Sequence, residues 1–236
     1  DAGGEALGVS LPDGTLIDGV TFGAQDLGVS EGCLPDGSTN HARFATTPTP
    51  ADANYLPLTN IVINEVLSAT PTNGPLEDAI ELLNVSAAPV NLKNWYLSDA
   101  LRTPTKFQIT NDVVVPPGGY AVFYESQFNP IAGDPRSFGL DGTQGDEVYL
   151  SAGTTNGLLT GYRATARFGA AEPGVSFGRY TNSVGTVDLV AMSRRTFGMD
   201  TPENVAEFRT GTGLPNAYPK VGPLVISEIM FHPPDL

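Results

Sequence analysis

Two short stretches of the sequence match the G-x-S-x-G pattern by which many serine hydrolases display a nucleophile. Ser176 lies in GVSFG at 174–178, and Ser30 lies in GVSEG at 28–32. A hydrolase of this kind also needs a strand, a sharp turn and a helix around the serine, and then an acid and a histidine. The residues after Ser176 are FGRYTNSVGTV, which have no helical period. The pattern therefore predicts a glycine-flanked turn or bulge before a strand.

The other nucleophiles and bases do not complete a catalytic set. The sequence has two histidines, His41 and His232, and neither has a counterpart beside the other serine motif. The single cysteine, Cys33, aligns with Arg179 when the two motifs are superimposed, which argues against a thiol mechanism common to both copies. Cys33 cannot form an internal disulfide, and no Cys/His spacing is typical of a metal site. We expect no catalytic residues.

Carboxylates gather in the turn LDGTQGDE at 140–147 and at Glu77 and Asp78. Asp141, Asp146 and Glu147 are therefore the candidates for a calcium site, although their spacing is not that of an EF-hand. Solvated acids of a turn are the favoured interpretation and bound calcium is the alternative, so we expect no cofactor. No pair of carboxylates is singled out as the acid and nucleophile of a glycosidase.

Composition excludes two classes of partner. The chain of 236 residues carries a net charge of −14, and its 12 Lys and Arg form no cluster, which argues against binding to nucleic acid. No apolar run approaches the roughly 18 residues of a membrane span, so membrane insertion is not expected. The opening residues DAGGEALG are no signal peptide, and we interpret the sequence as a piece of a longer polypeptide.

The sequence repeats itself. Positions 20–32 (VTFGAQDLGVSEG) align with 166–178 (ARFGAAEPGVSFG) at seven identical residues, and 61–67 (IVINEVL) align with 224–230 (LVISEIM). Weaker matches join 3–10 to 144–151 and 47–55 to 210–218. The long period predicts tandem domains. Residues 1–50 would be the C-terminal half of a preceding domain, 51–59 a linker, 60–217 a complete domain, and 218–236 a linker and the first strand of a following domain.

Within the complete unit the pattern is that of short strands. Runs such as AIELLN, WYLSD and YAVFY are rich in β-branched and aromatic residues and are separated by Gly- and Pro-containing turns. Only TPENVAEF at 201–208 indicates a helix, with Thr201 as its N-cap. About seven to ten short strands around one tryptophan predict an all-β, immunoglobulin-like β-sandwich with partial repeats at both ends.

The chain resembles a known family from residue 61 onward. The resemblance depends on five short motifs that occur in a fixed order. They are Ile63-Asn64-Glu65, Glu81-Leu82-Leu83-Asn84, Asn94-Trp95-Tyr96-Leu97-Ser98-Asp99, Pro117-Gly118-Gly119-Tyr120, and the strand that begins Gly145-Asp146. The chain resembles the lamin tail domain, an immunoglobulin-like sandwich, of the tandem type found in secreted bacterial proteins. It departs from the family in having Asn94 where glycine is usual, and in insertions around 129–137, 153–160 and 193–208.

The resemblance implies structural roles for the motif residues, namely Asn64, Glu65, Glu81, Asn84, Trp95, Leu97, Asp99, Gly119 and Gly145. Trp95 would fill the space between the sheets, and the Asn84 side chain would bond the backbone of a turn. Glu65 and Glu81 lie in apolar strands. We expect them either to face outward or to be buried with a paired donor such as Arg102 or Lys106.

The resulting hypothesis is a non-catalytic tandem module of a large secreted or cell-surface bacterial protein, acting as a spacer or binding protein or glycan. Its neighbouring domains would be further partners. The alternative is an accessory domain of an extracellular hydrolase whose catalytic domain lies elsewhere in the polypeptide. A filament component is a third option, but no heptad-patterned helix is present. We also expect the two incomplete ends to complement each other through strand pairing.

Overall fold

The computed structural model describes residues 3–221, and their regular structure is almost entirely β-strand. The strands are β1 Glu5–Ser10, β2 Leu16–Phe22, β3 Ser30–Cys33, β4 His41–Phe44, β5 Leu56–Pro57, β6 Ile61–Leu67, β7 Ala79–Asn84, β8 Val90–Asn91, β9 Tyr96–Ser98, β10 Phe107–Gln108, β11 Val114–Val115, β12 Tyr120–Tyr124, β13 Gly145–Gly153, β14 Leu159–Gly169, β15 Phe177–Thr181 and β16 Val187–Ala191. Two single-turn helices, α1 Glu125–Phe128 and α2 Val205–Phe208, complete the set.

Two five-stranded sheets form the body of the protein. One has the order β12-β7-β6-β15-β16 and the other the order β10-β9-β13-β14-β5. All neighbours are antiparallel except β5, which runs parallel to β14. The remaining strands form three two-stranded sheets, β1-β2, β3-β4 and β8-β11.

The core lies between the two five-stranded sheets. Ile63 and Leu82 from the first sheet pack in the same cluster as Leu97 and Leu150 from the second, and Trp95 lies in it too. Alternate residues along each strand point into this cluster because the side-chain period of a strand is two. The predicted all-β, immunoglobulin-like sandwich is therefore confirmed.

The outer face of the first sheet is also covered. A second apolar cluster joins Leu67 of β6 and Ala79 of β7 to Phe197 and Phe208. These two phenylalanines lie in residues 193–217, called the covering segment below. The Tyr124 hydroxyl donates to the carbonyl of Gly211 at 2.9 Å, which fixes the same segment. The central strand β6 is thus buried on both faces, by the second five-stranded sheet on one side and by the segment 193–217 on the other.

Residues 5–44 form two hairpins that correspond to the last two hairpins of the sandwich. In the first, Glu5 pairs with Phe22 as Asp146 pairs with Phe168. Gly4 (φ 112°) and Gly145 (φ 91°), which precede these residues, are both left-handed.

The turn before the second hairpin repeats in the same way. Gly28 (φ 76°) and Gly174 (φ 78°) are both left-handed, and Val29 and Val175 each donate to the residue three positions earlier. This agreement supports the tandem interpretation, although the division into domains stays a prediction.

Two local expectations differ from the structure. The predicted linker 51–59 contains β5, which joins the edge of a sheet through Leu56 and Pro57. The predicted helix at 201–208 begins only at Val205, because Asn204 is its N-cap and accepts from the Glu207 amide. Thr201 is therefore not the cap. The strand predicted at 224–230 lies outside the described residues.

Candidate functional site

Two glutamates lie side by side in the centre of the first sheet. Glu65 of β6 and Glu81 of β7 are cross-strand partners, and both side chains are fully buried. Like charges directly opposite each other destabilise a sheet unless other groups compensate. Their positions on β6 and β7 turn them toward the segment 193–217, because their neighbours Ile63, Ile80 and Leu82 point into the main core.

Hydroxyl and amide donors surround Glu65. The backbone N–H of Thr196 lies 3.0 Å from Oε1 and 3.1 Å from Oε2. The Thr196 hydroxyl donates to Oε2, and the Ser176 hydroxyl donates to Oε1. Glu65 thereby links β6 to the turn before β15 and to the segment 193–217.

Two asparagines serve Glu81. Asn64 donates through Nδ2 to Oε1 of Glu81 at 2.6 Å and to Oδ1 of Asn216 at 2.8 Å. Asn216 in turn donates to the carbonyl of Arg179 at 3.0 Å. Oε2 of Glu81 has no hydrogen-bond partner within residues 3–221. The network thus spans β6, β7, β15 and the covering segment.

Burial changes the acidity of both glutamates. Desolvation raises the pKa of Glu65, and the hydrogen bonds from Ser176 and Thr196 partly offset that rise. Desolvation raises the pKa of Glu81 to about 8, the Asn64 hydrogen bond lowers it, and the nearby Glu65 charge raises it further. Glu81 is therefore mostly protonated at neutral pH, which removes the repulsion between the pair.

Of the two arrangements expected for Glu65 and Glu81, the structure shows burial with paired donors, but the donors are not Arg102 or Lys106. Both are buried, and no cation within the described part of the chain forms a salt bridge with either. Lys106 instead pairs with Asp99 at 2.6 Å, and Arg102 is exposed. The physical reason is the covering segment, which supplies neutral donors in place of a charge.

Ser176 has the wrong surroundings for a nucleophile. Its side chain is only 1% exposed, and its hydroxyl is used as a donor to Glu65. The histidine within residues 3–221 is His41, which lies on β4 in a separate two-stranded sheet. The turn after Gly174 leads into a strand, so a strand-turn-helix elbow does not form.

Sequence reasoning missed three members of the network, Ser176, Thr196 and Asn216. The glycines of the G-x-S-x-G motif predict a turn, and the serine was given no role. In the structure, the Ser176 hydroxyl makes the contact to Glu65. The available signal was that both Ser30 and Glu228 repeat their counterparts, Ser176 and Glu65, in the other copy. Thr196 and Asn216 come from the region around the insertion at 193–208, and no pattern in the sequence links them to Glu65.

The remaining motif side chains hold strands and turns. Asn84 donates to the carbonyls of Ala88 and Val115 and accepts from the Ser86 amide at 2.9 Å. Trp95 and Leu97 lie in the core between the sheets. These contacts join β7 to the loop after it and to β11, which is a structural role.

Backbone geometry explains three further motif positions. Asn94 has φ 65°, a left-handed conformation that glycine adopts most easily and that asparagine tolerates better than most residues. This accounts for asparagine where the family usually has glycine. A Cβ on Gly145 would lie 2.4 Å from the Phe168 carbonyl oxygen, and one on Gly119 would lie 2.7 Å from Pro116 Cγ.

The proposed calcium ligands are occupied by other partners. Asp141 accepts from the amide and hydroxyl of Thr143, and these bonds lower its pKa. Asp146 accepts from the Asp141 amide at 3.0 Å, and Glu147 pairs with Arg167 at 2.8 Å. Over the described range 3–221, no group of three or more His, Cys, Asp or Glu side chains is arranged to hold a metal ion.

A cavity of about 400 Å³ lies between residues that precede β5 and the strands β13 and β14. Arg163 lines it, and its guanidinium lies 4.9 Å from the ring centre of Tyr55 and 5.7 Å from that of Tyr149. Its Nε and Nη1 atoms have no hydrogen-bond partner in the described part of the protein. Aromatic stacking thus attaches Tyr55, just before β5, to the sandwich.

The fold and the hydrogen-bond network of Glu65 and Glu81 define the class of this protein. It is an immunoglobulin-like β-sandwich whose polar motif residues bond to other groups inside the sandwich. A scan against family models matches residues 57–164 to the Lamin Tail Domain. That segment is therefore similar to lamin tail domains, which are immunoglobulin-like. No curated protein and no solved structure shows a significant match to the chain. No helix within residues 3–221 is long and apolar enough to cross a membrane.

Proposed function

We propose that the protein is a non-catalytic module of tandem lamin-tail-like domains, which acts as a spacer or interaction unit in a large secreted or cell-surface bacterial protein. The observation that carries this proposal is the repeated pair of hairpins. The first of them pairs Glu5 with Phe22 as the sandwich pairs Asp146 with Phe168, and the left-handed glycines before both hairpins have left-handed counterparts, which supports the presence of more than one similar unit in the chain.

The motif side chains point into the sandwich and not toward solvent, which supports a non-catalytic role. Ser176, Glu65 and Glu81 are the residues most suggestive of chemistry, and all three are buried and bonded within the sandwich. A nucleophile must reach a substrate, and a general base must reach the proton that it removes. These groups serve stability instead.

The partners that we propose are neighbouring domains of the same polypeptide and a protein or glycan at the cell exterior. The net charge of −14 disfavours nucleic acid. Immunoglobulin-like sandwiches present loops at both ends and sheet edges at the sides, which are surfaces suited to contacts between modules.

The proposal is tested with the purified 236-residue chain on panels of ester and phosphoester substrates. We expect no turnover above the buffer rate, and no difference between the wild type and Ser176→Ala. Hydrolysis that disappears in Ser176→Ala would contradict the proposal. Screens of the same chain against glycan arrays and extracellular proteins would then identify the partner, and retention of a ligand by residues of the 57–164 sandwich is the expected result.

A further inference from the structure

Arg163 and Ser151 are two buried polar side chains that line the same cavity of about 400 Å³ beside β13 and β14, called the Arg163 cavity below. Arg163 is 5% exposed and Ser151 is 3% exposed. Nε and Nη1 of Arg163 and Oγ of Ser151 have no hydrogen-bond partner within residues 3–221. Buried polar groups are costly unless a protein group, a water or a ligand bonds to them. The cavity therefore holds donors that lack acceptors in the described part of the chain.

The positive charge of Arg163 is only partly compensated. Desolvation by burial lowers the pKa of the guanidinium, and the nearby Tyr55, Asp52 and Asp36 offset that fall only in part. The Asp36 carboxylate is already engaged, because its two oxygens lie 3.1 Å and 3.3 Å from the Asn54 amide nitrogen that donates to them. A bound anion would therefore supply the partner that Arg163 lacks.

The walls of the Arg163 cavity are held in place by contacts of their own. Asn54 donates through Nδ2 to the Cys33 carbonyl at 3.1 Å, and its Oδ1 accepts from the Thr49 hydroxyl at 2.8 Å. On the side of β14, a Cβ on Gly161 would lie 2.3 Å from Cδ1 of Leu34, so the two walls meet in close contact. Largely preformed walls of this kind are usual for small-molecule sites.

The rest of the lining is mostly apolar, and it indicates the size and body of a ligand. The apolar and aromatic side chains are Pro35, Tyr55, Leu158, Leu159 and Tyr162. The volume falls within the range of roughly 300–1,000 Å³ that small-molecule pockets occupy. A ligand that matches the cavity has acceptor atoms for Arg163 and Ser151 and an apolar body.

Nearby acids restrict the charge of that ligand. Asp36 lines the cavity, and Asp52 acts electrostatically on Arg163. One negative charge would be balanced by the guanidinium, whereas a second would be repelled by these carboxylates. A carboxylate carries a single charge and accepts two parallel N–H bonds from arginine. Phosphate carries more charge at neutral pH and has no apolar body.

We propose that the Arg163 cavity binds a small monocarboxylate with an apolar body, and that Arg163 and Ser151 donate to its carboxylate. The unsatisfied nitrogens are covered in the structure, so Arg163 turns into the cavity on binding, as side chains at binding sites commonly do. The same chemistry is offered by a free organic acid and by the terminal carboxylate of a peptide that ends in an apolar residue.

The experiment titrates 3-phenylpropionate into the full chain and follows the backbone amides by NMR. We expect saturable shifts at Leu159, Tyr162 and Arg163, with a dissociation constant of about 1–10 mM. The neutral amide of the same shape should bind at least about tenfold more weakly, and inorganic phosphate should give no saturable shift there.

N-acetyl-glycyl-phenylalanine is the peptide probe in the same assay. Tighter binding than that of 3-phenylpropionate would support a peptide terminus as the source of the carboxylate, and weaker but saturable binding would support a free acid. Its C-terminal amide should bind at least about tenfold more weakly, because it lacks the charge.

Variants separate the site from a general effect on the fold. Arg163→Gln should weaken binding about tenfold or more, and Arg167→Gln, at an exposed arginine of the same strand, should leave it unchanged. Ser151→Ala should weaken it about threefold. Asp36→Asn should tighten it about threefold, since it removes a nearby negative charge and keeps an acceptor for the Asn54 amide. Damage to the fold would not produce that gain.

Four results would overturn the proposal. They are no saturable binding of either carboxylate up to about 50 mM, equal binding of acid and amide, an unchanged constant in Arg163→Gln, or weaker binding in Asp36→Asn. The inference goes beyond the proposed function and fails separately from it. A chain that binds no carboxylate can still be a non-catalytic module, whereas ester hydrolysis that depends on Ser176 would contradict the proposed function alone.

Discussion

The Ser176 hydroxyl donates a hydrogen bond to Oε1 of Glu65, a residue 111 positions earlier in the chain. A motif that suggested a nucleophile therefore satisfies a buried carboxylate. Thr196 also donates to the same carboxylate. Three distant parts of the sequence meet at one glutamate, and the first two of the four predictions below follow from this network.

Ser176→Ala should destabilise the protein by about 1–3 kcal/mol, because Glu65 would lose a donor in a site that water does not reach. The measurement is the free energy of unfolding from urea titration. Ser183→Ala is the matched control, since Ser183 is exposed and should change stability little. Equal stability of the two variants would contradict the role assigned to Ser176.

Stability should fall as the pH rises from about 4.5 toward 8. The pKa of Glu81 is near 4.5 in the unfolded chain and about 8 in the folded protein. Between these values the unfolded state loses a proton that the folded state keeps, so ionisation favours unfolding. Glu81→Gln should flatten the curve, most visibly from pH 7 to 8, and the slope that remains comes from other buried acids, since burial also raises the pKa of Asp78 to about 7 and raises the pKa of Glu65. An unchanged slope in that interval would count against a protonated Glu81.

Asn94→Ala should destabilise the protein by about 1–2 kcal/mol, since alanine pays the steric cost of a left-handed backbone. Asn94→Gly should be the more stable variant, although it also loses the 2.8 Å bond from Asn94 Nδ2 to the Thr155 carbonyl. Thermal unfolding of both variants provides the comparison. If alanine proved as stable as glycine, the conformation at φ 65° would not be the reason for asparagine here.

Arg163→Ala should loosen the segment before β5, with a cost on the order of 1 kcal/mol, because Tyr55 would lose its stacking partner. Hydrogen exchange should accelerate at the Leu58 amide, which donates to the Arg163 carbonyl at 2.9 Å. Arg167→Ala removes an exposed arginine from the same strand and is the control. Protection at Leu58 that is the same in both variants would argue against the stacking.

Much of the fold could be predicted because strand periodicity and turn chemistry are local. The alternation around Ile63 and Leu82 identified core strands, and the glycines of the serine motifs identified turns. The repeat between Phe22 and Phe168 was also visible in the sequence, and the structure gives both residues the same pairing. The start of α2 was missed, since the cap is Asn204, whose side chain accepts from the Glu207 amide, and not Thr201.

The candidate site was only half predictable. Glu65, Glu81 and Asn64 were recognised as structural from the family resemblance. For the two glutamates, Arg102 and Lys106 were the examples of a paired donor, because a buried carboxylate needs a hydrogen-bonding or charged partner. The actual solution uses Thr196 and Asn216, which come from the segment 193–217 that lies over the sheet.

By itself, the sequence determined the class of fold, the family motifs and the repetition, because each depends on residue types within a few positions of one another. The tertiary structure decided the meaning of the polar residues. Whether Ser176 attacks a substrate or bonds Glu65 depends on which groups lie within about 3 Å of its hydroxyl. That neighbourhood is set by long-range packing between β6, the turn before β15 and the covering segment, so no local pattern could specify it.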